Sequence, residues 1–151
     1  MKVESDKSYQ GLFGYQAGNI ENLIIKKSYV KGDSSVGAIA GYNAGTIFNC
    51  KVIDVEVEGN SKVGGIVGTS MTGSNIGTCS VEGNESMITA REYVGGVVGY
   101  TNNNVTIDTI ENNANVKGNK HVGGITGIAF YGTTFNSIVN NGNVSGKENV
   151  G

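Results

Sequence analysis

The sequence predicts an all-β chain folded as a parallel β-solenoid of about five coils of 27–31 residues, each coil holding three short strands. Three observations carry that expectation. A glycine-hydrophobic signature recurs, as VGAIAG at 36–41, VGGIVG at 63–68, VGGVVG at 94–99 and VGGITG at 122–127. A looser copy, YQGLFG, stands at 9–14, and Val150-Gly151 opens another. Further apolar columns hold phase with this signature, as expected of stacked supersecondary units that bury their faces only against one another. The third observation is compositional: 25 glycines, 19 asparagines and no proline in 151 residues, well above ordinary usage for the first two.

Taking the apolar residue before the glycines as marker, the series reads Tyr9, Val36, Val63, Val94, Val122 and Val150, with spacings of 27, 27, 31, 28 and 28. The coils then run near 9–35, 36–62, 63–93, 94–121 and 122–149, within a single segment 1–151. A second column holds Ile20, Ile47, Ile76, Ile107 and Phe135. Three residues on stands a third, Leu23, Cys50, Cys79, Ile110 and Ile138. A fourth column is Val30, Val57, Ile88, Val116 and Val144, closed two residues later by Gly32, Gly59, Ala90, Gly118 and Gly146. Insertions fall between these blocks. Five rungs at the roughly 4.8 Å spacing of paired strands stand only about 24 Å tall, which together with the repeat begun at Val150 predicts a fragment of a longer protein.

Each piece is too short and too β-branched for a helix, and no i, i+3, i+4, i+7 stripe runs through it. Glycine weakens a strand and marks a bend or a close backbone approach, so a glycine column predicts room at a corner or for a neighbouring strand. Ile66 and Val67 would then point to opposite faces of one strand, both covered, either by the rest of the coil or by a partner. Gly-Asn at 59–60, 83–84, 118–119 and 142–143 marks turns.

Function classes narrow by exclusion. A net charge of −2 without a basic stripe predicts no nucleic-acid partner. No apolar run approaches the roughly 20 residues of a membrane span, so no membrane insertion is expected. The polar start Met1–Asp6 does not read as a signal peptide. Cys50 and Cys79 share a column with Leu23, Ile110 and Ile138, and are expected as buried free thiols.

The pattern VGGIVG, a spacer, Ile47-Phe48-Asn49-Cys50 or Ile76-Gly77-Thr78-Cys79, then V-x-G resembles the GLUG-motif repeat across roughly residues 6–151. Such repeats occur in bacterial surface proteins, including non-catalytic parts of immunoglobulin A-cleaving metallopeptidases. The first copy departs from the pattern, with Tyr9-Gln10-Gly11 where Val-Gly-Gly is expected. The resemblance implies a right-handed stacked-strand fold, an extracellular, cell-surface location and no catalytic residue to carry over.

A search for chemistry predicts a chain that is not an enzyme and holds no metal or cofactor. His121 is the only histidine, whereas a zinc peptidase motif needs two and a serine or cysteine nucleophile needs a partner base. His121 is expected as a solvated turn residue. No acid column invites a glycosidase reading. Asn22, Asn49, Thr78, Thr109 and Ser137 form a polar column suited to a structural hydrogen-bond ladder. Tyr15, Tyr42, Thr69, Tyr100 and Ile128 form another, whose tyrosines could stack on sugar or protein. Loops at 101–104 and 128–132 bulge outward, with Phe130 and Tyr131 as candidate contacts. The expected role is a non-catalytic structural or adhesive segment. The alternatives are a glycan- or host-protein-binding module, or an accessory region of an extracellular metallopeptidase. The partner would be a surface protein or glycan, and open terminal rungs predict end-to-end self-association.

Overall fold

The computed structural model describes residues 1–151, and all of its regular structure is β. Parallel strands stack into a solenoid of about five turns with three sheets, one of eleven strands and two of five. One five-stranded sheet stacks Ser34–Gly37, Ser61–Gly64, Glu92–Gly95, Lys120–Gly123 and Glu148–Val150. The other stacks Phe13–Gln16, Ala40–Asn43, Val67–Ser70, Val98–Thr101 and Thr126–Ile128. Val36, Val63, Val94, Val122 and Val150 stand in register, as the sequence columns require.

The glycine-rich piece differs from its expected form. It is two short strands joined by a sharp bend, as in Ser61–Gly64, Gly65-Ile66, Val67–Ser70. The arms pair with other coils and fold against each other, so Ile66 and Val67 are both fully buried by the solenoid's own layers. Two of the three glycines are explained by this arch. A Cβ on Gly37 would stand 2.5 Å from the Ala40 oxygen of its own arch. A Cβ on Gly41 would stand 2.5 Å from the Tyr9 carbonyl carbon, and one on Gly127 2.6 Å from that of Tyr93. The third glycine therefore admits the backbone of the preceding coil. The middle position holds Ala38 in one coil, but in the next two a Cβ on Gly65 or Gly96 would collide with a backbone oxygen of the following coil.

The eleven-stranded sheet carries long strands such as Lys51–Glu58 and Asn75–Glu82. Asn22, Asn49, Thr78, Thr109 and Ser137 each adopt left-handed backbone, with φ between 50° and 59°. That conformation costs a non-glycine residue on the order of 1 kcal/mol. Its effect is to shift the alternation of faces. Phe48 and Asn49 are both exposed, so Ile47 and Cys50, three apart, both face inward. Asp54 does the same between Val52 and Val55. Of the expected ladder, the Asn49 amide donates to Asn22 Oδ1 at 2.6 Å, and the column serves chiefly as a line of bends.

The first copy is one residue shorter than the others. Gln10 pairs with Val36, whereas Tyr9 takes the left-handed conformation of Ser35. Gln10, and not Tyr9, therefore stands in the valine column. The core is a single cluster of 28 buried apolar residues. It also contains a polar ladder: Gln16 donates to Asn43 Oδ1, and Asn43 Nδ2 donates to Ser70 Oγ at 3.3 Å. Every buried side-chain nitrogen and oxygen has a partner, which removes the penalty of burying it.

Candidate functional site

Two columns converge on one outer face. The first follows the third glycine and holds Tyr15, Tyr42, Thr69, Tyr100 and Ile128 in register. The second is the left-handed column before the valines: Tyr9, Ser35, Lys62, Tyr93, His121 and Asn149, with φ from 51° to 62°. They meet because the third glycine of each coil lies against the left-handed residue of the coil before it.

Near the amino-terminal end, Tyr9, Tyr15 and Tyr42 line an apolar cleft of about 310 Å³. The Tyr15 and Tyr42 rings are stacked, 5.4 Å apart at 19°, and Tyr9 stands edge-on to Tyr42, 5.6 Å away at 90°. Tyr15 is 64% exposed and Tyr9 54%, while Tyr42 is half-buried. Burial, then the neighbouring Tyr9 and Tyr15, hold the Tyr42 phenol above its ordinary value, so it is a neutral hydroxyl at physiological pH.

Two coils further on, a second aromatic group closes on itself. Tyr93 stands edge-on to Tyr100 at 5.8 Å and lies parallel to His121, 4.9 Å away at 5°. Phe130 packs on Tyr100 at 5.1 Å, and the Lys62 ammonium sits 4.6 Å from the Tyr100 ring centre. His121 is thus half-buried in a ring stack, not a solvated turn residue, with Asn149 Nδ2 3.4 Å from its Nδ1. Between the two groups the Ser35 and Thr69 hydroxyls are 2.8 Å apart. Tyr131 projects at the tip of its turn, 85% exposed. The strip therefore unites Tyr15, Tyr42, Tyr100 and Phe130, as well as Tyr9, Lys62, Tyr93 and His121, which the sequence columns leave out. Tyr93 and His121, one position before Val94 and Val122 in successive coils, are the available signal for this second column.

Elsewhere the surface is polar. A larger groove of about 500 Å³ is lined by Lys31, Glu58, Arg91 and Lys117, but Lys31 and Glu58 already pair at 3.3 Å. Lys51–Glu82 and Lys120–Glu148 bridge successive coils at 3.1 and 3.3 Å. Exposed pairs of this kind contribute little. Cys50 and Cys79 are buried free thiols, and burial pushes Cys79 up to about 12, which suppresses the thiolate that a nucleophile needs. No group of three or more His, Cys, Asp or Glu side chains converges on a point.

The fold defines a class, the parallel β-solenoid with a glycine arch in every coil. No family model and no curated protein matches the chain. Among solved structures it is similar to the crystal structure of a "putative immunoglobulin A1 protease" from Bacteroides ovatus, with a TM-score of 0.72 at 18% identity. The match covers 98% of this chain and 58% of that one, so the chain spans little more than half the length of its structural neighbour. At this identity the likeness concerns the fold.

Proposed function

We propose that the chain is a non-catalytic structural and adhesive repeat segment of a bacterial cell-surface protein, located outside the cell. The observation that carries this reading is the division of labour within each coil. One side is devoted to backbone packing at the glycine arch, and the outer strip beside it collects aromatic side chains in two groups, an open one at Tyr9, Tyr15 and Tyr42 and a closed one around Tyr100. Such a strip offers apolar area with polar tips, the composition favoured at recognition surfaces. The partner is a glycan or a host protein. Two measurements test the proposal. Antibodies against the chain should label intact cells of the source bacterium, and beads carrying the chain should be retained on immobilised host glycoproteins. Absence of surface labelling overturns the location. Absence of retention overturns the adhesive role and leaves a spacer.

The Bacteroides ovatus structure is named a "putative immunoglobulin A1 protease", and together with the repeat resemblance this supports a second reading, an accessory region of an extracellular metallopeptidase. In that case deleting residues 1–151 from the full-length protein should slow cleavage of immunoglobulin A while leaving cleavage of a short peptide unchanged. Equal loss on both substrates would count against it.

A further inference from the structure

We propose that the Tyr9–Tyr15–Tyr42 cleft is a carbohydrate subsite, which takes the apolar C–H face of a pyranose ring. The inference rests on the adhesive reading above and names its ligand class. Its starting point is the difference between the two aromatic groups. Tyr100 has its surroundings filled by the chain's own Lys62, Phe130 and Tyr93. Tyr15 has a single ring neighbour, Tyr42, and is 64% exposed. The cleft is lined by three tyrosines and nothing else. At about 310 Å³ it lies at the small end of ligand sites, which run to roughly 1,000 Å³.

Chemistry selects the occupant. An aromatic face carries a negative quadrupole and attracts weakly positive edges such as the C–H groups of a sugar. Three phenolic hydroxyls on the same cleft can donate to, and accept from, sugar hydroxyls. A peptide is the poorer fit. Extended peptides bind by adding to a free strand edge; Ala40–Asn43 is paired on both sides, and the free edge of the terminal strand Phe13–Gln16 faces along the stack, so a peptide added there would extend the sheet and leave the tyrosine rings uncovered. Between the cleft and Tyr100 the Ser35 and Thr69 hydroxyls are buried and bonded to each other, so they offer nothing to a second sugar unit. No carboxylate or cation lines the cleft, which points to neutral sugars.

The test uses the chain as it stands with a stated panel: methyl β-glucoside, methyl β-galactoside, methyl N-acetyl-β-glucosaminide and the corresponding β-linked oligosaccharides. Saturation-transfer NMR reads binding, and tyrosine emission reads it independently, since the chain has seven tyrosines and no tryptophan. At least one neutral sugar should receive saturation from the wild type. Tyr15→Ala should weaken its binding about tenfold, the worth of one aromatic contact. Tyr15→Phe should keep most of the affinity, which separates ring stacking from hydroxyl bonding. Tyr131→Ala should bind as wild type. Transfer to no sugar overturns the proposal, as does equal loss in Tyr15→Ala and Tyr131→Ala. Should the beads adhere to a host protein while no sugar binds, the adhesive reading stands and the carbohydrate subsite falls. If adhesion and sugar binding both fail, both fall.

Discussion

The two aromatic groups stand on the same scaffold and differ in what surrounds them. Gly41 seats the coil of Tyr42 on the backbone of Tyr9, and Gly99 seats the coil of Tyr100 on the backbone of Lys62. Tyr42 then meets two tyrosines in an open cleft, whereas Tyr100 meets a lysine, a phenylalanine and a tyrosine in a closed one. The Phe130 loop makes much of the difference. The amino-terminal coils turn this corner with Ala17-Gly18 and Ala44-Gly45, too short to reach back over a ring. The later coil spends the longer stretch Ala129–Thr133 and brings Phe130 with it. A repeated backbone can thus carry a site in one coil and a packed patch in another, through loop length and the residue at one left-handed position.

The largest expected effect comes from breaking what the groups share. A Cβ on Gly99 would collide with the backbone of Lys62 and Val63, which no rotamer change relieves. Gly99→Val should cost at least about 3 kcal/mol, at the upper end of overpacking effects, and should show as loss of the cooperative thermal transition. Ala38→Gly, at the one middle position that already holds a Cβ, should cost about 1 kcal/mol or less. Equal losses at the two positions would mean that the third glycine is not a packing requirement.

The next effect would convert one group into the other. Phe130→Ala removes the tilted ring from Tyr100 and leaves that face open. If openness is what makes the Tyr9–Tyr15–Tyr42 cleft receptive, this variant should gain a second, weaker sugar site. Saturation-transfer titration should then need two sites where the wild type needs one. Lys62→Met keeps the stem and removes the ammonium over Tyr100. Exposed cation–π contacts are worth about 0.5–1 kcal/mol, so the melting temperature should fall by only a few degrees. An unchanged melting temperature would mean that Lys62 lies over Tyr100 without holding it.

Much of this architecture is legible in the amino-acid sequence, because parallel stacking forces like residues into columns and columns show as phase. The valine, isoleucine and Leu/Cys/Ile columns reappear as registers that are buried in the middle coils and open toward the ends, where Phe135 and Val150 are exposed. The arch is harder to see. Val63–Gly68 reads as one strand because the residues between its glycines are both apolar, and only the close approach of Gly64 to its own arch shows that the chain doubles back. The three-residue interval between Ile47 and Cys50 is visible as spacing. Its cause, a left-handed Asn49 that resets the alternation, is not, since Thr and Ser fill the same position elsewhere and carry no such signal. The Tyr15, Tyr42 and Tyr100 column is legible. Tyr9 is not, because the first copy is one residue short and lends it to the valine column.

The smallest expected effect concerns proton binding at the open group. Burial and then the two neighbouring tyrosines raise the Tyr42 phenol above its ordinary value of 10.0. The folded chain therefore holds this proton more tightly than the unfolded chain. The associated stability is fully present below pH 10 and is lost as pH rises through the folded value. Wild-type stability should decline above pH 10, and Tyr42→Phe, which has no proton to lose, should decline less over that range. Tyr15→Ala should fall between them, because it opens Tyr42 to water and removes one of the neighbouring phenols. Urea midpoints at pH 9, 10 and 11 would resolve the order. If the three chains instead decline in parallel, Tyr42 is no better shielded than an ordinary surface tyrosine, and the cleft is shallower than its geometry indicates.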